Sequence, residues 1–393
     1  MDPIRNPYQP GAGLRPAALV GRDEQLRGWD VAMARIEDGR NAQPVVLYGL
    51  RGVGKTVLLN TYAKAARERG WIVAKTEAAS DKPLREALPD ALRDPLADRA
   101  SVPTRTRRLL RALKTVASLQ ASVDAAGTWT FGLDLSAAPG GGADTGALEF
   151  DLARSLRDLA DLAAEEGSGV AVLIDEAQDL SSDELVALCA IAHMAGQEDW
   201  RLLIALAGLP SLPRVLAEAK SYSERLFLFS RISALPDRDA GAALTEPALA
   251  EHVVWEPDAV EHVLGAAAGF PYFLQQFGKD SWDTATGPDT ITLTEARVGA
   301  ALGQAALDTG FYRARWDRAT RAEQRYLRAM AEDGNDGSAA AAVAGRLGRP
   351  VSSLGPARAS LISKGLIYAP EHGRVAFTVP GMASFISRQP REE

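Results

Sequence analysis

The segment Gly49-Leu50-Arg51-Gly52-Val53-Gly54-Lys55-Thr56 constrains this chain more than any other feature. Glycines at those three places let backbone N–H groups curl around an anion, and the Gly-Lys-Thr ending adds one cation and one hydroxyl. The run before it, residues 44–49 (PVVLYG), is short, apolar and stops at glycine. The run after it, residues 57–69 (VLLNTYAKAARER), has helical spacing, cations in its last turn and Gly70 as a stop. Strand, glycine loop and helix in that order form a P-loop, with the helix N-terminus aimed at a polyphosphate. Gly49, Gly52, Val53, Gly54, Lys55, Thr56 and Val57 are therefore the expected phosphate-binding residues. Lys55 reaches the β- and γ-phosphates of a bound ATP, and the Thr56 hydroxyl holds Mg2+.

A second strand, WIVAKTEA (71–78), follows at once, so the opening is a β-α-β unit and the sheet is expected to be parallel. Two further apolar runs, GVAVLIDEA (169–177) and RLLIALAGL (201–209), bracket a helix whose Ser181 and Glu184 have capping-box spacing. Four buried strands alternating with helices specify an α/β layered domain. The run ending in Asp175 and Glu176 delivers two acids to the carboxyl edge of that sheet, where open α/β sheets place ligands. Asp175 is expected to hold Mg2+, directly or through water, and Glu176 to polarise the attacking water.

At 393 residues the chain is long enough for two to four domains, and 46% apolar with 24% charged residues is the composition of a folded protein. Four segments are expected: an N-terminal extension (1–14), an α/β core (15–235) with a long insertion (79–150), a helical lid (236–310), and a C-terminal module (318–386). The insertion carries a basic amphipathic helix (104–119) with Leu109, Leu110, Leu113 and Val116 as its apolar stripe, then an alternating segment, TWTFGLDL (128–135). In the C-terminal stretch, three helices closed by a two-strand ribbon are the winged-helix pattern.

The last 83 residues hold 13 Arg or Lys against 8 Asp or Glu, a net of +5, whereas the whole chain is −7. A basic terminal module on an acidic body suits a nucleic-acid partner. Helix 351–365 takes the recognition-helix place with Ser352, Ser353, Arg358 and Lys364, and His372 and Arg374 fall at the wing tip. Arg358, Lys364 and Arg374 are the expected DNA-binding residues, with double-stranded DNA as the partner. The single cysteine, Cys189, excludes an intrachain disulfide, and the four histidines lack metal-ligand spacing. No run approaches the roughly 18 apolar residues of a membrane span, and the N-terminus is polar and proline-rich, so a cytoplasmic location without membrane contact is expected.

These motifs together resemble the AAA+ ATPases, in the branch that joins origin-recognition initiators to STAND signalling switches; the resemblance covers about residues 7–385. Leu19-Val20-Gly21-Arg22-Asp23-Glu24 resembles that branch's box before the P-loop, implying that Val20, Gly21 and Arg22 line the adenine and ribose site. Gly269-Phe270-Pro271-Tyr272 resembles its lid motif, in which the proline touches the base. The resemblance further implies an ATP-dependent homo-oligomer with an arginine acting in trans, for which Arg225 is the first choice and Arg231 the second. Two departures stand out. The stretch GFPYFLQQFG has no sensor arginine, and Leu206-Ala207-Gly208-Leu209-Pro210 offers no polar sensor after the fourth strand. The expectation is a slow or partner-stimulated ATPase acting as a DNA-associated switch, with a STAND-like switch that docks on protein as the alternative.

Overall fold

The computed structural model describes residues 1–79, 81–100, 107–121, 142–143 and 145–390. The expected alternating segment at 128–135 and residues 104–106 of the expected basic helix lie outside them.

Five parallel strands make the central sheet: β1 (Val45–Tyr48), β2 (Ile72–Glu77), β3 (Val170–Asp175), β4 (Leu202–Gly208) and β5 (Leu228–Arg231), in spatial order β2-β3-β4-β1-β5. The sheet is α/β and parallel, as the sequence implied. β3 and β4 are buried at every residue, which is why they read as unbroken apolar runs. Alternate residues point to opposite faces. Val46, Ile72, Val172, Ile174, Ile204 and Leu206 join the core on one side, whereas Leu47, Val73, Leu173, Leu203 and Ala205 join the core on the other.

Helices α1 (Asp23–Glu37) and α2 (Lys55–Glu68) cover the second face, tied by the Trp29 and Tyr62 rings stacked at 4.5 Å. The first face is covered by α3 (Leu84–Ala100), α4 (Arg107–Ala121), α5 (Leu148–Glu165) and α6 (Ser182–Gln197). Most of the described part of the insertion is therefore a helical layer of the core domain. In α4, Leu109, Leu113 and Val116 are buried and Arg107 and Arg108 exposed, with Arg108 donating to the Asp161 carbonyl. The capping box of Ser181 and Glu184 starts α6 as the spacing predicts.

Beyond α7 (Leu212–Ala219) and α8 (Ser223–Leu226) comes β5, a strand the sequence reading did not include. It is an edge strand, four residues long and half exposed, so no buried apolar run announces it; pairing with β1 makes it a strand. Helices α9 (Asp237–Ala250), α10 (Pro257–Ala267), α11 (Pro271–Thr284) and α12 (Leu293–Ala306) then form the expected helical region, to which the structure adds a two-residue pairing of β6 (Val254–Trp255) with β7 (Thr290–Ile291).

A π-helical turn, Leu307–Tyr312, leads into α13 (Arg313–Trp316). There follow α14 (Arg321–Ala331), β8 (Ser338–Ala339), α15 (Ala340–Arg346), α16 (Gly355–Ser363), β9 (Ile367–Tyr368), β10 (Arg374–Phe377) and α17 (Met382–Arg388). The ribbon gains a third strand, giving the order β8-β10-β9, because Ser338 and Ala339, expected in a helix, pair with β10. The helical region and the C-terminal module share one continuous core, running from Leu244 and Phe277 through Tyr312 and Trp316 to Leu327 and Phe385.

Candidate functional site

β1 ends at the P-loop, and α2 begins at its lysine. Gly52 and Gly54 take φ values of +85° and +96°, conformations that L side chains rarely adopt. At Gly49 a Cβ would lie 2.0 Å from the Ile232 carbonyl oxygen, so the loop closes against the end of β5 only with glycine there. Lys55 is buried and donates to the carbonyls of Gly49 at 2.9 Å and Leu50 at 2.8 Å. Burial lowers its ammonium to about 8, an effect that Glu176 and Asp175 oppose and Arg51 reinforces.

The Thr56 hydroxyl donates to Asp175 Oδ2 at 2.7 Å, joining the start of α2 to the end of β3. Oxygen donors alone, one hydroxyl and one carboxylate, fit Mg2+, which keeps most of its water and takes few protein ligands. Neighbouring acids point the same way. Glu77 and Asp179 titrate above their ordinary range, through burial first and then repulsion, from Asp175 and Glu176 at Glu77 and from Glu176 at Asp179. A cation at this edge would relieve that repulsion.

Glu176 has φ +48°, an uncommon conformation for a residue with a side chain. Local bonds hold it there. Its N–H donates to Asp175 Oδ1 at 2.9 Å, Oε1 accepts from Arg51 at 2.7 Å, and Oε2 accepts from Gln178 Nε2 at 2.7 Å. Gln178 Oε1 in turn accepts from the Leu209 N–H at 2.9 Å, so one amide bridges the ends of β3 and β4. The place where the sequence shows no polar sensor is thus reached by Gln178 from the turn after β3. The sequence reading missed Gln178, and its position two residues past Glu176 was the only signal available.

Arg51, Lys55, Thr56 and Glu176 line one end of a cavity of about 330 Å3, within the size range of small-molecule sites. Its other end is apolar, walled by Leu14, Pro16, Val20, Leu235, Ala243 and Pro271. Val53, Gly52, Gly54, Val57, Val20, Arg22 and Pro271 all face it, whereas Gly21 and Gly49 stand behind the lining. Arg22 is held in the wall. Its guanidinium donates to the carbonyls of Ser233 at 2.7 Å, Val53 at 3.1 Å and Gly21 at 3.1 Å, so it ties the P-loop to the chain after β5.

Three contributors to the cavity were not legible in the sequence. The N-terminal extension is part of the wall: Gln9 to Leu14 border the cavity, and the Gln9 N–H donates to Gln275 Oε1 on α11 at 3.0 Å. Tyr8 anchors this strand of chain in the helical region through Trp255 and the Leu244 carbonyl. Arg51, a variable position of the P-loop motif, bonds Glu176. Phe311 and Arg315, from the π-turn and α13, complete the polar end.

Arg225 is exposed on α8 and is not among the residues lining its own chain's cavity. Arg231, at the end of β5, is also exposed and lies near Tyr368 of the C-terminal module. The three cations expected to meet DNA are largely engaged within that module. Lys364 donates to Glu323 at 2.6 Å. Arg374 is shared between Glu371 and the carbonyls of Asp336 and Gly337, and Arg358 is half-buried with its Nε shielded from solvent.

Burial alone would raise the Glu323 carboxyl, but hydrogen bonds from Lys364, Ser360 and Thr320 outweigh it and hold it at about 2. Its stabilising effect is therefore complete above the ordinary carboxylate value and is lost as pH falls from about 4.5 towards 2. Lys364→Ala should lower the stability of the C-terminal module by about 1–3 kcal/mol, leaving Glu323 buried without its cation. Chemical denaturation of both proteins checks this, and the difference between them should vanish at the acid end of that window.

The AAA ATPase domain family matches residues 18–205, and a family described as a domain of unknown function, DUF8462, matches residues 309–386. Among solved structures, the Walker-type ATPase of Pyrococcus abyssi is similar over 95% of this chain and 97% of its own, with 17% identity and a TM-score of 0.59. The RuvB Holliday junction branch migration motor of Thermotoga maritima is 16% identical, over 93% of this chain and 96% of its own, with a TM-score of 0.43. The Orc1 protein of Aeropyrum pernix, solved in complex with DNA, is 15% identical over 95% of this chain and 94% of its own, with a TM-score of 0.45. No curated protein matches the sequence significantly. No helix among the described residues is long and apolar enough to cross a membrane.

Proposed function

This chain has the AAA+ P-loop ATPase fold, and on that premise we propose that it is an ATP-driven switch whose nucleotide state is read by its C-terminal module. One observation carries the reading: the P-loop touches both the catalytic acid and the C-terminal module through a single residue. The Arg51 N–H donates to the Thr378 carbonyl at 3.0 Å, while its guanidinium bonds Glu176 at 2.7 Å. A terminal phosphate entering the loop competes with Glu176 for Arg51, and any shift of Arg51 is felt at Thr378.

Within the site, Lys55 and the loop amides bind the phosphates, and Glu176 accepts a proton from the attacking water. Gln178 and Arg51 orient that carboxylate. Thr56 and Asp175 would hold Mg2+, which supplies charge neutralisation at the β- and γ-oxygens when bound. The base lies at the apolar end, against Val20 and Pro271. Arg225 serves the site of a neighbouring subunit in an ATP-dependent homo-oligomer; its exposure away from its own cavity supports this.

The module 318–386 is a winged helix, supported by its helices α14, α15 and α16 and its three-stranded antiparallel sheet. Its partner is duplex DNA, a reading supported by the net +5 of the last 83 residues. A protein partner is the second reading, favoured by the pairing of Lys364 with Glu323, which withdraws a cation from the recognition helix.

Duplex binding by the full chain, measured with ADP and with a non-hydrolysable ATP analogue, separates the two. The expected result is nucleotide-dependent binding that weakens with salt. Arg358→Ala and Arg374→Ala together should flatten the plot of log affinity against log salt, by about one unit for each arginine that meets a phosphate. Absence of binding at low salt in both nucleotide states would leave protein docking as the output.

A further inference from the structure

Arg315 stands on α13, between the helical region and the C-terminal module, yet its side chain faces the nucleotide cavity beside Arg51, Lys55 and Glu176. Its setting is built. The guanidinium lies over the Phe311 ring at 4.1 Å from the centroid, and Nη1 donates to the Phe311 carbonyl at 2.5 Å. Phe311 is stacked on Tyr272 at 5.1 Å, and the Tyr272 N–H donates to the Gly52 carbonyl of the P-loop at 3.3 Å. A chain of contacts thus runs from the P-loop through two rings to this arginine.

Its charge is unmatched. Among the described residues no carboxylate lies within ion-pair distance of Arg315, whereas Arg51 has Glu176 at 2.7 Å. Burial and then repulsion from Arg51 and Arg318 lower the guanidinium to about 10, against attraction from Tyr272 and Glu176, so it stays charged at neutral pH in a place that disfavours the charge. Among the described residues, one of its five donors is engaged in a hydrogen bond. A half-buried planar fork with free donors, lining a cavity that already holds a P-loop lysine, suits a phosphate's oxygens.

The loop amides serve the inner phosphates, and Lys55 reaches the β- and γ-phosphates. Arg315 neighbours Glu176, the residue that faces the attacking water, and this places it at the outer end of the chain of phosphates. We infer that Arg315 binds the terminal phosphate of ATP and is the residue by which the site distinguishes a nucleoside triphosphate from a diphosphate. The inference rests on the proposed ATP site. It also names the route to the C-terminal module, because the π-turn that carries Phe311 continues to Tyr312, whose hydroxyl donates to the Pro380 carbonyl at 2.9 Å.

The test is equilibrium binding of ADP and of a non-hydrolysable ATP analogue, with Mg2+, to the full chain and to Arg315→Ala, Arg315→Lys and Phe311→Leu. Arg315→Ala should lose roughly 10- to 100-fold in affinity for the triphosphate while ADP affinity stays within about threefold, the scale of one charge-assisted phosphate contact. Arg315→Lys should recover part of that loss. Phe311→Leu, which removes the platform and keeps the arginine, should narrow the preference by a smaller factor. Equal losses for both nucleotides, or none, in the folded Arg315 variants would overturn the inference and leave the ATP site standing. Failure of the unaltered protein to bind either nucleotide would overturn both.

Discussion

Lys55→Ala should bind ATP about a hundredfold more weakly than the unaltered protein, a loss of about 3 kcal/mol for one buried charge-assisted contact to phosphate. Lys55 is the one cation that the loop itself aims into its own cradle, and its present partners, the carbonyls of Gly49 and Leu50, are neutral. Nothing else replaces it there. Because burial sets the ammonium near 8, the interaction also has a pH signature. A phosphate partner raises that value in the complex, so above pH 8 binding must take up a proton and affinity falls, by up to about tenfold per unit. Below pH 8 the lysine is already charged and the dependence from this group disappears. Calorimetric titration between pH 7 and 9 checks both parts; Lys55→Ala should lack the alkaline decline. Equal ATP affinity in the folded variant would remove the assignment of the loop.

Glu176→Gln should keep nucleotide binding and lose roughly 10²- to 10⁴-fold in turnover, the range typical of a general base. The replacement is isosteric, so an oxygen still accepts from Arg51 and the strand end keeps its shape, but the carboxylate that polarises water is gone. The same variant probes assembly. Mixed with Arg225→Ala subunits, which retain Glu176, it should recover part of the activity, since one interface in the mixture then holds both residues. Steady-state phosphate release from each variant and from the mixture checks this. Full activity of Arg225→Ala alone, in a protein that stays monomeric with ATP, would exclude the trans role.

The P-loop and the acid pair were legible in sequence because their spacing is local. Eight consecutive residues set the loop, and the two acids end a strand whose apolar run marks it without reference to any partner. The four inner strands were legible for the same reason: burial on both faces leaves an unbroken apolar signature. β5 was not, because a short, half-exposed edge strand exists only through its pairing with β1. Ser338 and Ala339 show the reverse error, a helical composition drawn into a sheet by β10.

What the sequence by itself determined is which residues form the P-loop and which two acids end the strand beside it, and that the last 83 residues are basic. The tertiary structure decided which side chains remain free to act. Lys364, expected at a groove, is bonded to Glu323, 41 residues earlier. Arg22 lines the cavity, and three carbonyls from separate segments surround its guanidinium. Gln178 and Arg315 carry no motif, yet folding places one against Glu176 and turns the other into the same cavity. The physical reason is common to all four. A charged or polar side chain contributes according to its partners, and those partners come from distant parts of the chain that only the packed fold brings within hydrogen-bond distance.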